Sequence, residues 1–586
     1  MGGPFSIGKL MKFVYQYLKA YKIESILAPL FKMLEAIFEL FVPLVVAAII
    51  DVGITTNDTD YILHRCGLLL LLAAIGLVVA ITAQFFAAKA AICSASKMRE
   101  DLFFHIQDMS HGAMDELGSA TLVTRITNDI NQVQNGINMF LRLFLRSPFI
   151  VFGAMIMAFT VDAKVALVFL AVIPLLGLIV YRVMKSTLPM FRKIQKTLDT
   201  VLRIVSENLE GIRVIRAFGN EEVQEDAFVK KTGELYSRQI GAGKIQAFLN
   251  PATYIIVNLA VVFILWFSGL RVEKGVLSTG EVVALVNYMS QILVELIKLA
   301  NLIVLLTRAY SSVTRIQEVM EHPADERGHE GVASKALGEE VLGLSEVDFS
   351  YPNTVEHVLH DISFQLKSGE TLGVIGGTGS GKSSLVHAIC HDYDVERGMV
   401  RLVGEDVRGI SDEQIAKVVG VVPQHAELFA GSIAENLRVG NPTATDDELW
   451  EALDTACARE VVEGKDGKLQ AGVVKGGRNF SGGQRQRLTI ARALVKRPWI
   501  LILDDSASAL DLATEAKLRQ NIKSLSWKPA TIIISQRASS VREADQILVL
   551  ENGEVAGLGT HEELMRSCEV YQEIYYSQFP REEVGA

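Results

Sequence analysis

The sequence predicts a multidomain chain: a six-helix all-α transmembrane domain with long cytosolic helical extensions, followed by an α/β P-loop domain. Three observations predict it. Apolar runs long enough to cross a bilayer recur before about residue 310 and then stop. From residue 341 onward short apolar, β-branched runs alternate with helical stretches. One of those runs, 371–375, leads directly into GGTGSGKSS at 376–384.

The change of character falls once along 586 residues, of which 50% are hydrophobic, with mean hydropathy +0.29. We therefore divide the chain into a transmembrane domain at 1–320, a linker at 321–340 containing Pro323, Gly328 and Gly331, and a nucleotide-binding domain at 341–586. A formal net charge of -10 speaks against a nucleic-acid partner. The five cysteines, Cys66, Cys93, Cys390, Cys457 and Cys568, form no CxxC pair, which fits a reduced compartment and offers no thiolate metal cluster. Nothing at the start reads as a short apolar segment with a small-residue cleavage site.

Taken in order, residues 1–24 mix aromatic and basic residues and predict a helix on the cytosolic membrane surface. Six spans are expected near 26–50, 66–91, 140–161, 165–184, 252–270 and 279–306. Residues 51–61 hold three carboxylates and no Lys or Arg, whereas 94–135 and 185–250 are dotted with both. This asymmetry places both termini and the two long stretches in the cytosol of a multi-pass cell-membrane protein, the bacterial inner or plasma membrane being the expected site. Ile194, Leu198, Val201, Ile204 and Leu209 recur at helical spacing, so the spans are expected to continue as helices beyond the bilayer. Each 20 extra residues would add roughly 30 Å. Polar turns at 115–119 and 218–222 are candidate tips. Pro174 and Pro251 are expected to mark bends or boundaries.

Two spans carry charge at hydrocarbon depth: Glu35 and Glu39 one turn apart in the first, Glu295 and Lys298 in the last. Two readings account for them. Either they line a water-filled cavity whose acidic spots hold a cationic, amphipathic cargo, or Lys32, Glu35, Glu39 and Lys298 form internal salt bridges.

In the second half, the spacing at 376–384 is that of a P-loop. Gly376, Gly377, Thr378, Gly379, Ser380 and Gly381 turn backbone N–H groups toward phosphate after a buried strand. Lys382 is placed to reach the β- and γ-phosphates of ATP, the Ser383 hydroxyl to ligate Mg²⁺, and Ser384 to continue the helix that opens there. ILILDDS at 500–506 is an apolar strand ending in two carboxylates; beside a P-loop, Asp504 is the expected Mg²⁺ carboxylate.

These motifs resemble the ABC transporter family over nearly the whole chain. FSGGQRQR at 480–487, between the P-loop and the carboxylate strand, is similar to the family signature. The resemblance implies that Ser481, Gly482, Gly483 and Gln484 bind the γ-phosphate of ATP held by the opposite subunit. It implies that Gln424, in VVPQ, contacts the metal and couples it to the membrane domain, that Tyr351 stacks on adenine, and that 508–511 is a D-loop. Six spans ahead of one such domain resemble an exporter half-transporter of the type IV fold, with 218–222 in a coupling-helix region.

Three positions depart from the family pattern. Asp505 stands where Glu follows the metal aspartate, Gln536 where the switch loop has His, and Lys475 where an acidic residue precedes the signature. A shorter carboxylate, and an amide that cannot accept a proton as imidazole does, predict an ATP site that binds well and turns over poorly. With the signature intact, the expectation is a heterodimer: this chain carries the degenerate site and relies on a second half-transporter with Glu and His restored. The function so implied is ATP-driven export of amphipathic substrates from the cytosol or inner leaflet, with membrane lipids as neighbours. A dedicated lipid, peptide or sterol exporter, and an ATP-gated channel-like protein, are the alternatives.

Overall fold

The computed structural model describes residues 7–322, 339–351, 354, 357–506 and 508–579, with side chains from residue 12. Most of the expected linker, including Pro323, Gly328 and Gly331, lies outside the described residues. The chain separates into two compact units, one of residues 1–107 and 118–322, the other of 108–117 and 323–586.

Among the described residues the first unit is helical, with six helices long and apolar enough to cross a membrane: Lys12–Ile54, Thr59–Gln107, Ser119–Val161, Ala163–Glu210, Glu221–Glu273 and Thr279–Met320. The longest has 53 residues, or roughly 80 Å at helical rise, against an apolar bilayer core of about 30 Å. Each span is thus longer than the hydrocarbon is thick, and Thr59–Gln107, Ala163–Glu210, Glu221–Glu273 and Thr279–Met320 each run as one uninterrupted helix. Large side chains such as Leu70, Val78 and Trp266 stay exposed along these helices, as a lipid-facing surface requires. Inside, Ala154, Phe169, Leu176, Ile264, Tyr288 and Met289 pack into a buried apolar core.

Pro174 and Pro251 do not bound elements: both lie inside continuous helices. Neighbouring helices and local adjustment tolerate the lost backbone bond in membrane helices. The chain reverses at Gly219, whose φ of 64° is the left-handed conformation that ends Ile212–Phe218. The first and last spans are joined by Asp51, whose carboxylate accepts from Ser278 Oγ at 2.5 Å and from the Gly280 backbone N at 2.7 Å. A negative group is thereby seated on the start of Thr279–Met320. Only glycine fits at 280, because a Cβ there would meet the Ala47 carbonyl oxygen at 2.3 Å.

The second unit is built on a six-stranded sheet. Its order is Glu554–Gly559, Gln546–Glu551, Thr371–Gly376, Ala530–Ile534, Ile500–Asp504, Val419–Val422, parallel throughout except at the Glu554–Gly559 edge. These strands are short, β-branched and almost wholly buried, as a sheet covered on both faces demands. A second, antiparallel sheet pairs Glu340–Phe349 with Leu359–Lys367 and with Arg397–Leu402. The expected position of the carboxylate strand needs one adjustment. Ile500–Asp504 is not next to the P-loop strand; Ala530–Ile534 runs between them.

The helix His111–Leu117 packs with this second unit. Tyr393 Oη donates to Asp115 Oδ2, and His111 Nε2 lies 3.6 Å from Asp392 Oδ1.

Candidate functional site

Four neighbouring parallel strands release their C-terminal ends at one edge, where open α/β sheets bind ligands. Thr371–Gly376 leads to Lys382, Ala530–Ile534 to Gln536, Ile500–Asp504 to Asp504 and Asp505, and Val419–Val422 to Gln424. Residues 378–384, Gln424, Asp504, Asp505 and Gln536 together line a cavity of about 320 Å³.

The cradle is shaped by backbone constraint. Gly379 and Gly381 hold φ at 81° and 94°, and a Cβ on Gly376 would strike the Leu550 carbonyl oxygen at 2.2 Å. Lys382 opens the helix Lys382–Ile389, and its Nζ donates to the carbonyls of Gly376 at 2.9 Å and Gly377 at 2.5 Å. Burial lowers the Lys382 ammonium from its ordinary pKa, with Asp505 and Asp504 opposing. Burial raises the Asp504 carboxyl, and the neighbouring Asp505 raises it further. Asp505 is likewise raised by burial, against the pull of Arg537 and Lys382. Two carboxyls that resist ionisation side by side are a donor set a divalent cation relieves, so Mg²⁺ fits here with Ser383 and Gln424.

Asp505 has φ of 43°, a left-handed conformation in which aspartate is several-fold enriched. Its backbone is fixed: its N donates to Ile534 O at 2.9 Å, and its carbonyl accepts from Ser508 N at 3.2 Å and Ser508 Oγ at 2.8 Å. Gln424 Nε2 lies 3.5 Å from Asp505 Oδ2. Tyr351 stands outside the cavity lining; its hydroxyl is 3.0 Å from Ser384 Oγ, and its ring meets Phe349, His387 and Tyr393 edge-on. Ser481, Gly482, Gly483 and Gln484 are not brought to this cavity. They start the helix Gly482–Val495, where the Ser481 hydroxyl and Gln484 side chain form a reciprocal cap.

A second site lies in the membrane unit. Arg146 Nη1 contacts Glu295 Oε1 at 2.7 Å, its Nη2 contacts Glu39 Oε2 at 2.6 Å, and its Nε is 3.9 Å from Glu35 Oε1. Lys298 adds a contact to Glu295 at 2.8 Å, Ser147 Oγ donates to Glu295 Oε2 at 2.7 Å, and Lys32 pairs with Glu35 at 2.5 Å. The three acids thus meet three bases, with Glu295 and Arg146 only 2% and 7% exposed. Of the two sequence readings, the paired one describes these residues, with a hub that the sequence reading did not name. Arg146 went unnoticed because its partners are 107 and 149 residues away. Its only local signal was a base at the mouth of an apolar run. Glu39, Glu295 and Lys298, with Asn287, Ser290 and Gln291, face a cavity of about 370 Å³ walled by Val42, Val46, Ile150 and Val294.

A P-loop nucleotide site on an α/β sheet, carried by a chain with six membrane helices, defines an ATP-binding membrane protein. Residues 25–296 match the family model of the ABC transporter transmembrane region, and residues 359–508 that of the ABC transporter. An uncharacterized ABC transporter ATP-binding protein of Mycobacterium tuberculosis is 35% identical over 580 residues, covering 98% of this chain and 99% of that one. Another from Bacillus subtilis is 36% identical over 574 residues, with 98% and 99% coverage. The chain belongs to the ABC transporter family: it is a multi-pass membrane protein that binds and hydrolyses ATP with Mg²⁺. In fold it matches a bacterial Atm1-family ABC exporter with ATP bound, at TM-score 0.80 and 19% identity, over 96% of this chain and 99% of that one.

That end-to-end match corrects the expected assembly. The reading of this chain as the degenerate half of a heterodimer, dependent on a second half-transporter with Glu and His, is overturned by its likeness along both domains to the Atm1-family exporter. The cavity gathers Asp505 and Gln536 with Lys382, Ser383, Gln424 and Asp504 on this one chain.

Proposed function

We propose that two copies of this chain form an ABC exporter that couples ATP hydrolysis to moving an amphipathic cargo of no net charge out of the membrane's inner face. The single observation carrying this reading is the gathering of P-loop, metal carboxylate, Gln424, Asp505 and Gln536 in one cavity, on a chain that also carries six spans. In this reading residues 1–320 form the membrane domain and residues 341–586 the nucleotide-binding domain.

Lys382 leaves the Gly376 and Gly377 carbonyls to reach the terminal phosphates, while backbone N–H groups of 378–381 orient them. Ser383, Gln424 and Asp504 would hold Mg²⁺, whose chemistry there would be to offset negative charge on the phosphates. Asp505 accepts a hydrogen bond from the attacking water and orients it; Gln536 donates to a phosphate oxygen. Tyr351 supplies the surface against adenine. Ser481, Gly482, Gly483 and Gln484 start a 14-residue helix and so complete the ATP site of the other copy. The charge-balanced cluster around Arg146 leaves the membrane cavity with hydrogen-bonding groups, Asn287, Ser290 and Gln291, on an apolar wall. Such a lining suits a neutral or zwitterionic amphipath over a cation.

The test is reconstitution of the purified chain alone in proteoliposomes. ATP-dependent accumulation of a zwitterionic, fluorescent phospholipid analogue, lost in Lys382→Ala, is expected. ATP hydrolysis that never moves any of a panel of neutral, zwitterionic and cationic amphipaths would remove the export reading.

A further inference from the structure

The C-terminal helix Glu569–Gln578 ends on the loop that carries Gln536. Gln578 Nε2 donates to the Gln536 carbonyl oxygen at 2.8 Å, and Gln578 Oε1 accepts from the Ala538 backbone N at 2.8 Å. One side chain thus spans the loop on both sides of Arg537. Its amide orientation is dictated by its partners, because a carbonyl can only accept and an N–H can only donate.

The helix that delivers it is firmly seated. Tyr571 and Tyr575 are 0% and 4% exposed, His561 Nδ1 lies 2.8 Å from the Tyr571 hydroxyl, and Phe579 packs on Tyr575 with ring centroids 4.9 Å apart. Gln578 itself is exposed and adds little to that packing. Arg537 ties the same loop to the segment after Asp505 through its Nη2, which donates to Ser508 O at 3.2 Å, while within the loop its backbone N donates to Ser535 Oγ at 3.0 Å. The loop is therefore held against the carboxylate strand on one side and the C-terminal helix on the other.

We propose that Gln578 is a positioning residue for ATP hydrolysis, fixing the backbone of 536–538 so that the Gln536 amide stays aimed into the nucleotide cavity. This rests on the reading of Gln536 as a phosphate-contacting group. A loop pinned at one carbonyl and one N–H loses the freedom that would otherwise have to be frozen at each turnover.

The experiment is a double-mutant cycle on the full chain in lipid nanodiscs, with Gln578→Ala, Gln536→Ala and the pair, reading kcat, KM for ATP and Tm. Gln578→Ala should lower kcat about three- to tenfold, the scale of one or two hydrogen bonds, with KM and Tm nearly unchanged. Gln578→Glu keeps the acceptor for Ala538 N–H but sets an oxygen against the Gln536 carbonyl, so it should fall as far. In the Gln536→Ala background, Gln578→Ala should cost nothing further. Multiplying losses in the double variant, or a fall in Tm accompanying the fall in kcat, would mean a merely structural role and overturn the proposal. A full-rate Gln578→Ala beside a slow Gln536→Ala would overturn it alone. A full-rate Gln536→Ala would instead remove the reading of Gln536, and this inference with it.

Discussion

Asp505 occupies a left-handed backbone position, with φ of 43°, at the end of a buried strand. The residue type and the conformation agree, since aspartate tolerates this region better than most side chains. Seen only in sequence, Asp505 read as a shortened glutamate; its backbone setting could not be read there, because φ depends on contacts to Ile534 and Ser508. Asp505→Asn should lower kcat by about 10²–10⁴ while leaving ATP binding intact, as phosphate release and nucleotide-binding assays would show. Asp505→Glu adds reach but strains the turn, so its rate should remain within about tenfold of the parent. The pH dependence follows from burial, which raises the Asp505 carboxyl. In the nucleotide-free chain the Asp505 carboxyl should therefore ionise at a pH above about 3.9, the ordinary aspartate value, as NMR titration of the carboxyl carbons would show, with that signal missing in Asp505→Asn.

At the scale of elements, the spans and the nucleotide edge were legible because each depends on local pattern. Apolar length marks a membrane helix, and a glycine-rich turn after an apolar strand marks a phosphate cradle. What the sequence left open is long-range pairing: the strand between the P-loop and Asp504, the Arg146 hub, and the contact of Gln578 with 536–538. No periodicity records which helix meets which across a hundred residues. The Arg146 cluster gives the sharpest test, since removing one partner leaves a buried charge uncompensated. Arg146→Met should destabilise the protein by about 3–5 kcal/mol, read as a large drop in thermal unfolding temperature in nanodiscs. Glu39→Gln should cost much less, because its side chain is 43% exposed while that of Glu295 is 3% exposed. Equal losses for the two acids would contradict the burial-based ranking.

For the whole molecule, the two-copy assembly predicts complementation between defects. Lys382→Ala removes the P-loop lysine of its own copy, and Ser481→Ala removes the signature hydroxyl offered to the other copy. Each variant alone should be nearly inactive. A mixed dimer of one Lys382→Ala copy and one Ser481→Ala copy concentrates both defects in one site and leaves the other intact, so about half the parent ATPase activity should return if the sites act independently. Dead mixed dimers, purified by two different tags, would argue against the head-to-tail arrangement. The charge cluster also has a consequence for how the chain is made. Glu35 has Lys32 three residues away and Glu295 has Lys298 equally close, but Glu39 waits 107 residues for Arg146. During synthesis the first span must enter the bilayer with one acid unescorted, and remains a provisional guest until the third arrives. Ribosome-bound chains halted before Arg146 should show the first helix slipping back toward water, detectable by cysteine accessibility near Glu39, and lengthening the chain past the third span should lock it in place.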